Sequence, residues 1–280
     1  MLTVLEIIKR STEFFAAKGI ESPRLNAELL IGHALNLRRM QLYLAFERPL
    51  AEAELERIRP LIRRRAQQEP LQYIMGDAEF FGLTLKVDRR VLIPRPETEQ
   101  LVEQVIAACP PEPQRILDLG TGSGAIALAL ARAFPDAAVV ATDRSEDALA
   151  VARENAARHA LAARVSFLHS DWFSAVPADR FNLIVSNPPY LSEQETAETS
   201  AEVRAFEPPG ALTSADSGLR DLRQIISAAS RYLAPGGLLA VETGLSQHPV
   251  LTALAREVGF TRIESRRDLA GRDRFVLAFV

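Results

Sequence analysis

A single cysteine, Cys109, stands among 280 residues. An internal disulfide is therefore excluded, and the chain fits a reducing compartment. No catalytic-thiol motif surrounds Cys109. The four histidines, His33, His159, His169 and His248, are dispersed without metal-ligand spacing, so no metal is expected. Ser123 lies between glycines, but the order is not G-x-S-x-G, and no triad is indicated. Long apolar runs are missing too. Nothing approaches the roughly 18 uninterrupted residues of a membrane span, so no membrane partner is expected. The opening "MLTVLEIIKRSTEFF" lacks the basic leader and cleavage site of a signal peptide. A cytoplasmic location is the expectation.

The 48% hydrophobic and 25% charged residues are the balance of a soluble globular protein with a sizeable core. A net charge of −3 argues against a surface that grips nucleic acid throughout, and direct nucleic-acid binding is not expected. The charge is uneven. Residues 1–75 carry 12 Lys/Arg against 9 Asp/Glu, whereas the remainder carries 21 against 27. The excess sits in "RIRPLIRRRAQQ", a weak basic patch between Arg57 and Arg65. It reads as a solvated helix face, with a docking patch for an acidic or ribonucleoprotein partner as the alternative.

Residues 1–70 show helical periodicity and predict a small helical bundle. "SPRLNAELL" places Ser22 as an N-cap and Pro23 at the first helical position, and a further helix is expected from Ala51 to Gln67. In residues 71–95 the alternation of Leu83, Leu85 and Val87 suggests a strand paired with the following "VLI", a β-hairpin linker. From 96 to 280 strands and helices alternate, which predicts α/β architecture with a doubly wound, mostly parallel sheet. Ligands of such sheets sit beyond the carboxyl ends of the strands at the topological switch point. The polar stretch 192–216 reads as either a mobile surface loop or a functional lid.

"DLGTGSGAIALAL" places Gly120, Thr121, Gly122, Ser123 and Gly124 between a strand and a helix. Its G-x-G-x-G spacing is not the dinucleotide fingerprint G-x-G-x-x-G. Asp118 precedes the first glycine, which disfavours a pyrophosphate and favours a cationic ligand. The next strand ends in Asp143, suited to the hydroxyls of a ribose, or to capping the helix after it. The third ends in Asp171 and Trp172, an acceptor and a flat apolar face for an adenine, unless the indole is simply core. Together these describe a site for S-adenosylmethionine. The fourth strand runs into "NPPY": Asn187, Pro188, Pro189 and Tyr190. Two prolines cannot continue a strand, because neither has an N–H and each fixes φ near −65°.

With "DLGTGSG" and "NPPY" the chain resembles class I S-adenosylmethionine-dependent methyltransferases acting on a planar nitrogen. "EPLQYIMGDAEFFGLTLKVDRRVLIPRPETEQLVE", "RLNAELL", "DWF", "FEPPGAL" and "AGRDRFV" narrow the resemblance to the peptide chain release factor glutamine N5-methyltransferases. That resemblance implies transfer of a methyl group to the glutamine amide of a Gly-Gly-Gln motif, with release factors as partners docked by the helical domain. It implies cofactor contacts from Gly120 to Gly124, Asp143, Trp172 and Asn187, and a pocket border that includes Arg95, Pro96 and Glu97. The substrate amide would meet residues 187–190: the Asn187 oxygen and the Pro188 carbonyl accept its two hydrogens, Pro189 stiffens the corner, and Tyr190 stacks on the amide plane. Two departures fall in the 192–216 stretch, Phe206 where the family has tyrosine, and Thr213-Ser214 where it has a glycine pair. The same NPPY frame serves nucleic-acid N-methyltransferases, which remain the enzymatic alternative. A non-catalytic cofactor-binding module is the other.

Overall fold

The N-terminal residues fold as helices at Val4–Ala17, Pro23–Leu35, Arg39–Leu44, Glu52–Ala66 and Leu71–Met75. The computed structural model describes residues 2–109 and 113–280. These helices and Ser200–Phe206 form one compact unit, and Asp77–Thr199 with Glu207–Val280 forms the other. Thr3 starts the first helix with a reciprocal cap. Its hydroxyl accepts from Glu6 N at 3.2 Å, and the Glu6 carboxylate accepts from Thr3 N at 2.9 Å. Ser22 occupies the expected cap position, but its left-handed φ of 47° turns the hydroxyl away from any capping bond. The helix is opened by Pro23 instead. Ile8, Phe15, Leu30, Ile31, Leu42 and Ile58 make the core of this unit.

The basic stretch is largely neutralised from within. Arg59 pairs with Glu52 at 2.5 Å and Arg64 with Glu69 at 2.8 Å. Arg65 is buried. Its guanidinium donates to Asn26 Oδ1 at 2.8 Å, the Glu69 carbonyl at 2.7 Å and the Glu202 carboxylate at 2.7 Å.

The second unit begins with a hairpin, β1 (Asp77–Phe80) and β2 (Leu83–Lys86). The expected partner of β2 was "VLI", and the structure corrects this. Phe81 and Gly82 both have positive φ, 48° and 72°, so they form a two-residue turn that folds β2 back onto the preceding strand. Asp88 then bends the chain, its carbonyl accepting from Val91 N and its carboxylate from Arg90 N, each at 3.0 Å. Nor is the hairpin a free linker. Phe80, Leu83 and Leu85 are buried in the same core as the helix Ala125–Ala133.

The main sheet has the order β5-β4-β3-β6-β7-β9-β8, with β3 Arg115–Leu119, β4 Ala138–Asp143, β5 Val165–His169, β6 Phe181–Ser186, β7 Leu233–Glu242, β8 Arg262–Arg267 and β9 Asp273–Phe279. β3 to β7 run parallel, as the alternation predicts, while β9 and β8 are antiparallel. β8 escapes the sequence pattern because it is an edge strand guarded by charge, with Arg262 and Arg266 both paired to Glu264. Residues 192–216 are not a structureless loop. They contain Glu193–Glu198, capped reciprocally by Ser192 and Glu195, then Ala201–Phe206 and a 3₁₀ turn at Pro209–Ala211. β4 and β5 lie on one side of β3, and the chain returns to set β6 on the other. The carboxyl ends on either side of that reversal carry the motifs.

Candidate active site

A cavity opens beyond those strand ends, lined by Gly120, Gly122, Asp143, Asp171, Trp172, Asn187 and Pro189. The three glycines are required for three different reasons. All have positive φ, 72°, 55° and 85°. A Cβ on Gly120 would stand 3.3 Å from the Trp172 ring, and one on Gly124 would stand 3.2 Å from the Ala152 side chain. A Cβ on Gly122 would meet nothing within 4 Å, so at this point bare main chain faces the cavity. Thr121 and Ser123 are buried and do not line the cavity. The Thr121 hydroxyl donates to Asp118 at 2.6 Å, and the Ser123 carbonyl accepts from Asn155 at 2.8 Å.

Asp118 does not face the cavity, contrary to the sequence argument. It is fully buried beneath the turn, where Oδ2 accepts from the Thr121 hydroxyl and from Ala127 N at 3.2 Å. Oδ1 has no hydrogen-bond partner among the described residues. Burial pushes its pKa up to about 7, and the nearby Asp143 charge adds to the rise. The unfolded chain ionises this group near pH 4, the folded chain only near 7, so its effect on stability is lost ground between those values. Between pH 5 and pH 8 the cofactor-free protein should lose on the order of 2–3 kcal/mol relative to Asp118→Asn, measured by urea melts of both proteins at each pH. Parallel pH dependences would refute the protonated, buried carboxyl.

Asp143 is the carboxylate that the cavity does see. Its Oδ2 accepts from Gly122 N and its Oδ1 from Ser145 N, each at 2.9 Å. Burial raises its pKa, opposed by those N–H groups. It braces the glycine turn and the residue that caps the next helix, Ser145, and it borders the cavity. Asp171 is exposed at the rim. Trp172 is 7% exposed and belongs to the core as well as to the cavity wall. Its backbone is held at a φ of 48°, an uncommon conformation for a large side chain. The strain is supported on both sides. Ser170 Oγ donates to the Trp172 carbonyl at 2.8 Å, and the indole N–H donates to Asp221 at 3.1 Å. Ser214, one of the two departures from the family pattern, donates to the other oxygen of Asp221. Thr213, the neighbouring departure, meets the Thr196 hydroxyl at 2.8 Å.

At the end of β6, Asn187 Nδ2 donates to the Thr98 hydroxyl at 2.9 Å. Thr98 donates in turn to Glu242 Oε2 at 2.8 Å, and the Tyr190 hydroxyl donates to Glu242 Oε1 at 2.9 Å. Glu242 is fully buried at the end of β7, where desolvation raises its pKa. Arg274 stacks its guanidinium over the Tyr190 ring at 5.7 Å. Pro188 and Pro189 are buried, and neither Pro188 nor Tyr190 lines the cavity. Among the described residues, no hydrogen bond reaches Asn187 Oδ1 or the Pro188 carbonyl. Two acceptors thus stand unengaged at one corner.

The corner is braced from behind by Gly218. With φ at 83°, a Cβ there would stand 2.2 Å from the Tyr190 carbonyl and 2.7 Å from Gln247 Nε2, which donates to that same carbonyl. Gly218→Ala should cost about 2–4 kcal/mol of stability and displace residues 187–190. Chemical denaturation checks the first, and an unchanged unfolding midpoint would contradict the contact.

Sequence reasoning missed part of the cavity and the whole buried network. Arg90, Val91 and Leu92 line the cavity, whereas Arg95, Pro96 and Glu97 do not. Pro96 opens the next helix, and Arg95 donates to the buried Glu207 at 2.5 Å. Pro208, Gly210 and Ala211 close the opposite wall, where the Gly210 carbonyl accepts from Arg144 at 2.7 Å. A signal for Glu242 was present: an acid ends the apolar strand "GLLAVE" in a parallel sheet.

Two family descriptions match the chain, "PrmC N-terminal domain" over residues 6–76 and "Methyltransferase small domain" over residues 97–213. A release factor glutamine methyltransferase from Geobacter sulfurreducens is 42% identical over 98% of this chain and 95% of its own length. One from Chlorobaculum tepidum is 47% identical over 86% of this chain and 85% of its own length. Among solved structures, a T. thermophilus 16S rRNA methyltransferase in complex with AdoMet and guanosine superposes with a TM-score of 0.51 at 23% identity, covering 72% of this chain and 49% of the other. That likeness concerns the fold alone.

Proposed function

The chain belongs to the release factor glutamine methyltransferase family, and from that premise we propose that it methylates the N5 amide of the glutamine in the Gly-Gly-Gln motif of peptide chain release factors. The observation that carries the site assignment is a pair of acceptors that no described residue engages, Asn187 Oδ1 and the Pro188 carbonyl, in the turn whose Asn187 and Pro189 line a cavity with a bare glycine wall. A primary amide has two N–H groups to offer such a pair.

The cavity residues fit S-adenosylmethionine. Gly122 allows a ligand to approach the main chain, Asp143 keeps lone pairs for ribose hydroxyls, and Trp172 and Asp171 form the wall suited to an adenine. When bound, this cofactor supplies an electrophilic methyl group on a positively charged sulfur. The chain's own task is to prepare the nitrogen. An amide lone pair is delocalised into its carbonyl, so the nucleophile is weak. Acceptance of both N–H groups by Asn187 and Pro188 fixes the nitrogen and favours the pyramidal geometry in which the lone pair is localised. Pro189 holds Pro188 in extended backbone geometry. Tyr190, tied to Glu242 and Arg274, supplies a rigid flank for the amide plane. Positioning of this kind can be worth about 7–11 kcal/mol in the best intramolecular cases. The methylated nitrogen sheds its surplus proton readily, so no strong base is needed.

The test offers the purified protein labelled cofactor together with unmethylated release factor, its Gln→Ala variant, DNA and ribosomal RNA. Label in the factor and none in the Gln→Ala variant is the expected result. Label in nucleic acid alone would replace this reading with the nucleic-acid alternative, and no label anywhere would favour a cofactor-binding module.

A further inference from the structure

We propose that Glu242, acting through Thr98, is a positioning residue that forces Asn187 to present its oxygen, and not its amino group, to the substrate amide. The proposal deepens the release-factor reading and rests on it. A carboxamide can sit either way round with almost the same shape. Turned the wrong way, Asn187 would oppose the N–H groups of the substrate with N–H groups of its own and hold nothing.

The direction is decided at the far end of the chain of bonds. Burial opposes charge on Glu242, but the hydrogen bonds from Thr98 and Tyr190 and the nearby Arg274 favour the ionised form, and an ionised carboxylate can only accept. Thr98 has one hydroxyl proton and spends it on Glu242 Oε2, 2.8 Å away. Its oxygen is then left with lone pairs alone, so the Asn187 atom 2.9 Å from it must be the donor, Nδ2. Oδ1 is thereby turned away from Thr98, on a residue that lines the cavity. The second oxygen of Glu242 accepts from Tyr190, so both residues flanking the proline pair take their orientation from one carboxylate. Sheet register puts it there. Ser186 of β6 is level with Val241 of β7, which brings the following residues, Asn187 and Glu242, side by side.

The location argues that direction is what the charge is for. Glu242 is 1% exposed and Thr98 4% exposed. Removing a carboxylate from water is costly, and a glutamine would fill the same volume with less desolvation. A glutamine would, however, lose directionality. Its amino group could donate to Thr98, whose proton could then turn toward Asn187, reversing every bond in the series.

Three variants separate this relay from mere packing. Glu242→Gln should lower kcat about 100-fold on release factor while labelled-cofactor affinity stays within about threefold. Asn187→Asp alone places two carboxylates on either side of a single hydroxyl proton, and it should be poorly active. In Asn187→Asp/Glu242→Gln the bonds run the other way without conflict, glutamine to Thr98 to Asp, and an oxygen still faces the substrate. The double variant should therefore turn over about tenfold faster than Asn187→Asp. A double variant no faster than Asn187→Asp would overturn the relay, as would loss of cofactor affinity with turnover in Glu242→Gln. The wild type serves as the separate check on the substrate. If it labels no release factor, the functional reading fails and the relay falls with it. Normal wild-type labelling without rescue sinks the relay alone.

Discussion

Asn187→Ala should reduce kcat on release factor by about 10²–10³-fold and leave cofactor affinity within about threefold of wild type. Asn187 borders the cavity, yet among the described residues its one side-chain hydrogen bond goes to Thr98, behind the site. The free oxygen is the group assigned to the substrate. Removing it takes away half of the grip on the amide nitrogen, and the lone pair returns to delocalisation. The glycine turn, Asp143 and Trp172 are untouched, so the cofactor loses little. Single-turnover rates and equilibrium binding, measured on the same preparation, separate the two quantities. Equal loss in both would reassign Asn187 to cofactor binding. Asn187→Asp keeps an acceptor and should stay above alanine, though below wild type because of its conflict with Glu242.

Asp143→Ala should show the opposite signature. Its carboxylate accepts from Gly122 N and Ser145 N, and it is the half-buried acid at the cavity wall. The alanine variant loses the acceptor for incoming hydroxyls and leaves the Gly122 N–H without its partner. An unsatisfied polar group of this kind costs about 1–3 kcal/mol, and a lost charged hydrogen bond costs about as much again. Cofactor affinity should therefore fall about 10²–10³-fold, with kcat at saturating cofactor reduced less than tenfold, roughly. Calorimetric titration of cofactor into both proteins measures this. A Kd within about threefold of wild type would remove Asp143 from the site.

The alternation of strands and helices was legible because a parallel sheet demands apolar strands, and "RILDL", "AVVATD" and "FNLIVS" are such strands. β8 was not, since an edge strand protected by arginines has no apolar rhythm. The hairpin was seen, but its partner was misassigned because the left-handed Phe81 before Gly82 concealed a two-residue turn. In the site, the residues that touch the cavity were mostly readable, since glycine turns, strand-end acids and a proline pair are local signals. Asp118 was misread because its neighbour in sequence faces the cavity while its own side chain points beneath the turn. Thr98 and Arg274 were not readable, and Glu242 left only the signal of an acid at a strand end. Their relation to Asn187 and Tyr190 exists only across 89, 52 and 84 residues of chain, through sheet register and helix packing.

The Arg65–Glu202 ion pair has a consequence for how the protein can be divided. Glu202 lies in Ser200–Phe206, which folds with the N-terminal helices although it is encoded between "NPPY" and "FEPP". The chain therefore crosses between its units three times, and no single cut yields two complete modules. A fragment ending at Gly76 would keep a buried guanidinium without its carboxylate, and a fragment starting at Asp77 would carry a short helix stripped of its support. The two units are threaded together as one inheritance, and an exchange of N-terminal units between relatives would have to bring residues 200–206 along with it.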